Sequence, residues 1–125
     1  MSGRPLVSVV MSVYNGEGYL PASLDSLLAQ EGVDFEIVVV DDGSTDQSPE
    51  ILENYARKDY RVRVIRQENA GLTKALARGC GEATGELVAR QDADDVSFPG
   101  RLAKLTAVLR ENAGVAVAAS WVEVI

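Results

Sequence analysis

The amino-acid sequence predicts an α/β fold: a Rossmann-like, mostly parallel sheet with helices on both faces. Short apolar runs rich in β-branched residues alternate with amphipathic runs of helical spacing, four times over. The first two apolar runs are nearly continuous, as strands covered on both faces must be. Clusters of Asp, Asn, Gly and Ser close several of the runs, and in open parallel sheets ligands sit beyond the carboxyl ends of the strands. Crossovers in such a sheet should be right-handed.

"PLVSVVMSV" (Pro5–Val13) is the first strand, followed by a helix in "YLPASLDSLLAQ" with Leu20, Leu24, Leu27 and Leu28 at helical spacing. "FEIVVV" (Phe35–Val40) is the second strand, closed by "DDGSTDQS". Ser48 and Pro49 read as N-cap and first helical residue of a helix that turns Ile51, Leu52, Tyr55 and Ala56 inward. "RVRVIRQ" is a third strand with Val62 and Val64 on one face. "GLTKALARGCGEATG" is a helix with Leu72, Ala75, Leu76 and Gly79 inward and glycines to stop it. "ELVARQ" is the fourth strand. "PGRLAKLTAVLREN" is a helix burying Leu102, Leu105, Val108 and Leu109 and ended by Gly114, and "VAVAASWVEVI" begins a fifth strand.

The 125 residues, 46% hydrophobic and 25% charged, suit one domain with its own core. The single cysteine, Cys80, excludes an internal disulfide and reads as a small buried hydrophobe. There is no histidine, so imidazole-dependent triads and histidine-bound zinc are excluded, and a bound metal must accept oxygen ligands. A net charge of −7 argues against nucleic acid as a partner. No apolar run approaches the roughly 20 residues of a membrane span, and the first ten residues lack a signal-peptide cleavage region. A cytoplasmic setting is the expectation, with peripheral membrane association open for a longer protein.

"DADD" places Asp92, Asp94 and Asp95 within four residues. Two unit charges about 5 Å apart repel by roughly 3 kcal/mol at an effective dielectric near 20. Capping a helix needs one acid, not three, and the EF-hand pattern is absent. On an extended segment Asp92 and Asp94 share one side, where two carboxylates can hold a divalent cation. "DDGSTD" reads either as a turn with Asp46 or Ser48 capping the next helix, or as a ligand edge in which Asp41 or Asp42 accepts hydrogen bonds. In "SVYNG", Tyr14 is core or a flat face for a planar base. Lys74 and Arg78 form a solvated helix face, or Lys74 meets a phosphate or base. "GCGEATG" follows a helix instead of a strand, which suits helix termination better than a dinucleotide fingerprint.

Taken in order, "VSVVMSVYNGEGYLPASLDSLLAQ", "EIVVVDDGSTD", "ENAGLTKALARG" and "ATGELVARQDADDVSFPGRL" resemble the family 2 glycosyltransferases of GT-A fold. The resemblance implies a UDP-, dTDP- or GDP-sugar donor, a Mn²⁺ or Mg²⁺ cofactor, and a glycan, lipid or protein acceptor. It places Ser12, Tyr14, Asn15, Asp41, Asp42 and Lys74 around the nucleoside. Asp92 and Ala93 fall towards ribose and sugar, Asp94 with Asp92 on the metal, and Asp95 behind them. Relatives often carry Asn where this chain has Ala77, so one amide contact is missing. Family members are longer, so residues 1–125 are expected to form the nucleotide-sugar-binding domain, with the general base beyond residue 125 and an exposed edge that favours self-association. The rival readings are a phosphoacceptor receiver domain, disfavoured because the first strand ends in "SVYN" without an acid pair, and a nucleotide-binding module without turnover.

Overall fold

The structure is a computed structural model and describes residues 5–111 and 123–124. Strands β1 (Val7–Val13), β2 (Phe35–Asp41), β3 (Val62–Arg66) and β4 (Leu87–Arg90) form one parallel sheet in the order β3-β2-β1-β4. Helices α1 (Leu20–Leu28), α2 (Ser48–Lys58) and α3 (Leu72–Glu82) link them, and α4 (Arg101–Glu111) follows. Two further strands, β5 (Asp95–Val96) and β6 (Glu123–Val124), pair antiparallel. The expected fifth strand therefore survives only as β6 among the described residues, paired behind the acidic segment and not in the main sheet. Its residues 115–122, the helix stop at Gly114 and the edge beyond residue 125 lie outside the described residues. No helix among the described residues is long and apolar enough to cross a membrane.

The central strands explain the continuous apolar runs. Every residue of β2 is buried, and so is all of β1 except half-buried Ser12. One sheet face (Val9, Met11, Val13, Ile37, Val39) packs on Leu20, Leu24 and Leu27 of α1, Leu52 of α2 and Leu102 of α4. The outer strands are less covered, because a sheet edge has fewer neighbours: along β4 half-buried Leu87 and Ala89 alternate with exposed Val88 and Arg90, and in β3 Val62 is buried while Val64, expected on the same face, is exposed. Leu72 and Val108, expected inward, are also exposed, as is Cys80. Each sits on a helix whose inward stripe is narrower than the periodicity suggested; α3 buries only Ala75 and Gly79.

Gly79 takes the inward place that its spacing predicts. It lies inside α3, where an added Cβ would come 2.5 Å from Val10 Cγ1 and 3.3 Å from Val40 Cγ2. Gly85 likewise lets the chain pass Ser8, whose backbone N would sit 2.6 Å from a Cβ. These glycines set how closely helix and sheet approach. Gly79→Ala gains about 1 kcal/mol of helix propensity, but overpacking against a central strand costs about 1–3 kcal/mol. A net loss of up to about 2 kcal/mol is expected in urea denaturation; an unchanged or higher midpoint would show that α3 stands off the sheet.

The amino-terminal end of the sheet is closed by a buried carboxylate. Glu36 accepts hydrogen bonds from Ser8 Oγ (2.5 Å), Thr84 N (2.8 Å), Thr84 Oγ1 (2.9 Å) and Arg63 Nε (2.9 Å). Burial pushes Glu36 up, and these donors together with the Arg63 charge outweigh it and hold the group below its ordinary range.

Candidate functional site

At the opposite, carboxyl end, the loops after β1 and β2 are sewn together by their own side chains. Asn15 adopts φ 52°, a left-handed conformation that Asn tolerates better than most residues. Its N–H donates to Ser44 Oγ (2.9 Å) and its Oδ1 accepts from Thr45 N (2.8 Å). Gly16 N donates to Ser48 Oγ (2.9 Å) and Glu17 N to Asp46 Oδ2 (3.1 Å). Ser48 is thus not the N-cap. It is the first residue of α2, its N–H is capped by Asp46 Oδ1 (2.8 Å), and its hydroxyl serves the neighbouring loop. Tyr14, 51% exposed, is held at this edge between half-buried Ser12 and the fixed Asn15.

The paired acids Asp41 and Asp42 are both buried, and each has a different set of partners. Asp41 ends β2 beside Arg66, the last residue of β3; its carboxylate accepts from Arg66 Nη1 (2.9 Å) and from Ser44 N (3.0 Å). Asp42 organises the segment leading into α3. Its Oδ1 accepts from Gln67 Nε2 (2.9 Å) and Ala70 N (2.8 Å), and its Oδ2 from Gly71 N (3.0 Å) and Asn69 Nδ2 (3.3 Å). Burial pushes Asp42 up, but these donors hold it below the ordinary carboxylate range. Gly43 (φ 83°) permits the close approach, since a Cβ there would lie 2.9 Å from Asn69 N. A shallow hollow of about 510 Å³ opens beside it, lined by Gly43, Arg66, Gln67, Glu68 and Asn69. Lys74 stands exposed in the first turn of the helix that Asp42 anchors.

The third cluster follows β4. Asp92, Asp94 and Asp95 each bring a carboxylate oxygen within 4.8 Å of the others. The segment is a turn closed by Asp95 N to Asp92 O (3.0 Å), so the acids converge through a reversal of the chain and not through the expected alternation of an extended segment. Ala93 points its side chain into the core, leaving its backbone at the turn. Burial raises Asp95, the Asp92 charge raises it further, and Asp94 adds to both. The Asp92 backbone and the Arg101 charge pull Asp95 back only in part, and Arg90 Nη2 contacts Asp92 Oδ1 (3.0 Å) with both side chains about half exposed.

Four contributors escaped the sequence reading: Arg66, Gln67, Arg90 and Gln91. The signal was present, since β3 and β4 both run out into Arg-Gln. At each strand end the arginine pairs with an acid of the site (Asp41 or Asp92), and the glutamine fastens Asp42 or the Asp95 carbonyl.

Known proteins similar to this chain include several glycosyltransferases. The chain is 41% identical over 108 residues to the Bacillus subtilis protein named "Uncharacterized glycosyltransferase EpsJ", covering 86% of this chain and 31% of that one. It is 36% identical to a Haemophilus influenzae protein also named as a glycosyltransferase, over 100% of this chain and 39% of that one. It superposes on S. aureus TarS in complex with UDP-GlcNAc with a TM-score of 0.77, at 32% identity over 91% of this chain and 37% of that one. The mannosyltransferase PcManGT from Pyrobaculum calidifontis, in complex with GDP-Man and Mn²⁺, gives a TM-score of 0.72, at 30% identity over 84% of this chain and 32% of that one. The chain spans about a third of the length of the two curated relatives, and about a third of the solved chains of TarS 1-349 and PcManGT. The sequence model of Glycosyl transferase family 2 matches residues 8–124, and the chain belongs to that family.

Proposed function

We propose that this chain is the donor- and metal-binding part of a glycosyltransferase that moves a sugar from a nucleoside diphosphate to an acceptor hydroxyl with inversion at the anomeric carbon. One observation carries the reading: in a chain of this family, the crowded acid turn and the Asp41–Asp42 edge both follow strands of one sheet at their carboxyl ends. The UDP-GlcNAc and the GDP-Man with Mn²⁺ held by similar proteins support a nucleotide-sugar donor and a divalent ion.

The residues fit such an ion. Three carboxylate oxygens within 4.8 Å of one another are a hard, all-oxygen donor set whose mutual repulsion is only partly offset. Asp92 and Asp94 would hold Mn²⁺ or Mg²⁺, with Asp95 supporting them. Bound there, the ion neutralises charge on the departing diphosphate. The chain's own part is positioning. Tyr14 offers a ring face to the base, with Ser12 and Asn15 beside it. Asp41 and Asp42 shape the nucleoside edge, Lys74 stands near it, and the Ala93 backbone lies towards ribose.

No carboxylate described here is assigned as general base, because Asp41 and Asp42 are occupied by internal donors and the acids of the turn would hold the ion. That role falls to a part of the protein outside this chain, as does the choice of glycan, lipid or protein acceptor. This chain then binds donor without transferring it. Calorimetric titration with UDP, GDP and dTDP, with and without Mn²⁺, is the test. Binding that requires Mn²⁺ is expected; metal-independent binding unaffected by Asp94→Ala would contradict the scheme.

A further inference from the structure

We infer that Gln91 is a positioning residue for the acid turn, setting its affinity for a divalent cation without touching the ion; this rests on the metal reading above. Gln91 is buried at the carboxyl end of β4, where its N–H donates to Val10 O (3.2 Å). Both donors of its amide are used. Nε2 donates to Ser23 Oγ of α1 (2.9 Å) and to the backbone carbonyl of Asp95 (3.1 Å). Its Oε1 accepts from Ser97 Oγ, and Ser97 N in turn donates to Ser26 Oγ of α1 (2.9 Å).

The consequence is geometric. Asp95 is gripped from two sides, its N–H by Asp92 O and its C=O by Gln91 Nε2. The turn is thereby fastened through Gln91, Ser23, Ser26 and Ser97 to α1, which is packed on the core. Three like charges on a free loop would spread apart. Gln91 holds them within reach of one ion. An amide meets this need with two donors and one acceptor, and the Ser97 hydroxyl it engages also accepts from Arg101 Nη1 (3.4 Å). Residues that orient metal ligands from behind commonly change metal affinity by about 10–100-fold when replaced.

The test compares Gln91→Met, which keeps length and bulk but makes no hydrogen bonds, with Glu36→Gln, which weakens an equally buried polar cluster at the far end of the sheet. Ser97→Ala is a milder variant should Gln91→Met fold poorly. Mn²⁺ affinity would be read by electron paramagnetic resonance, and local order by hydrogen exchange at the Asp95 amide. Gln91→Met is expected to weaken Mn²⁺ binding about 10-fold or more and to speed Asp95 exchange, and Ser97→Ala to do both less. Glu36→Gln should lower the melting temperature and leave Mn²⁺ affinity within about twofold of the parent chain. Unchanged Mn²⁺ affinity in Gln91→Met, or an equal loss in Glu36→Gln, overturns the inference. A parent chain that binds no Mn²⁺ overturns the metal reading itself; faster Asp95 exchange in Gln91→Met would then still support the positioning role, and unchanged exchange would sink it.

Discussion

Asp42→Ala is expected to destabilise the chain by about 2–4 kcal/mol, a large share of the 5–15 kcal/mol that holds a typical domain folded. The figure follows from what the carboxylate holds. Asp42 is buried while Ala70 and Gly71 are exposed, so the loss is that of two backbone hydrogen bonds to an ionised group, each worth about 1.5–3 kcal/mol and partly replaced by water once the carboxylate is gone. Gln67 and Asn69 are less committed, since their side chains can turn to water, so they add little. The loss should be pH-dependent in a defined direction. Asp42 is held below its ordinary value of 3.8, so the ionised group stabilises the fold fully above that pH, and its contribution disappears as pH falls through the depressed value. The stability gap between parent and variant, measured by urea titration, should therefore be widest near neutrality and close below pH 3.8. A gap that stays constant down to the acid transition would mean that the hydrogen bonds to Asp42 contribute no net stability.

Asp94→Ala should produce two opposite effects in one protein. Losing a direct ligand is expected to weaken Mn²⁺ binding by about 100-fold or more, beyond the usual effect of removing a supporting residue. The metal-free variant should nevertheless melt higher. Bare repulsion between charges about 5 Å apart is roughly 3 kcal/mol, but this turn is partly exposed and solvent reduces such interactions to about 1 kcal/mol or less. A rise of up to about 3–6 °C follows for a chain of this size. Calorimetry in the presence of a chelator reads the second effect, and Mn²⁺ titration the first. Lower melting together with weaker binding would identify Asp94 as an ordinary structural residue.

Much of this architecture was legible in the sequence because the decisive signals are local. Buried β-branched runs alternating with helical stripes specify a parallel sheet, and polar clusters mark the carboxyl strand ends, where ligands of such sheets sit. What stayed hidden depends on partners far away in the chain. Asp42 reads as a ligand contact until its donors appear, 25 to 29 residues later, at Gln67, Asn69, Ala70 and Gly71. The inward place of Gly79 is legible in the helical spacing, but its reason, the Val10 methyl on a strand it crosses, is not. Cys80 lies next to that tight contact but on the exposed side, so the usual burial of free cysteine misleads. Alternation put Asp92 and Asp94 on one side of an extended segment. A turn instead gathers Asp95 with them, and the support for that turn comes from serines on α1 that no local pattern reveals.

The central claim is that the turn after β4 binds a cation which carries a nucleoside diphosphate towards the edge formed by β1 and β2. Anomalous diffraction at the manganese edge, from crystals grown with Mn²⁺ and UDP, tests it most directly. The account predicts a single strong peak against the carboxylates of Asp92 and Asp94, with diphosphate between it and a base stacked near Tyr14. A peak elsewhere, or nucleotide bound at this edge with no metal at the turn, would contradict it.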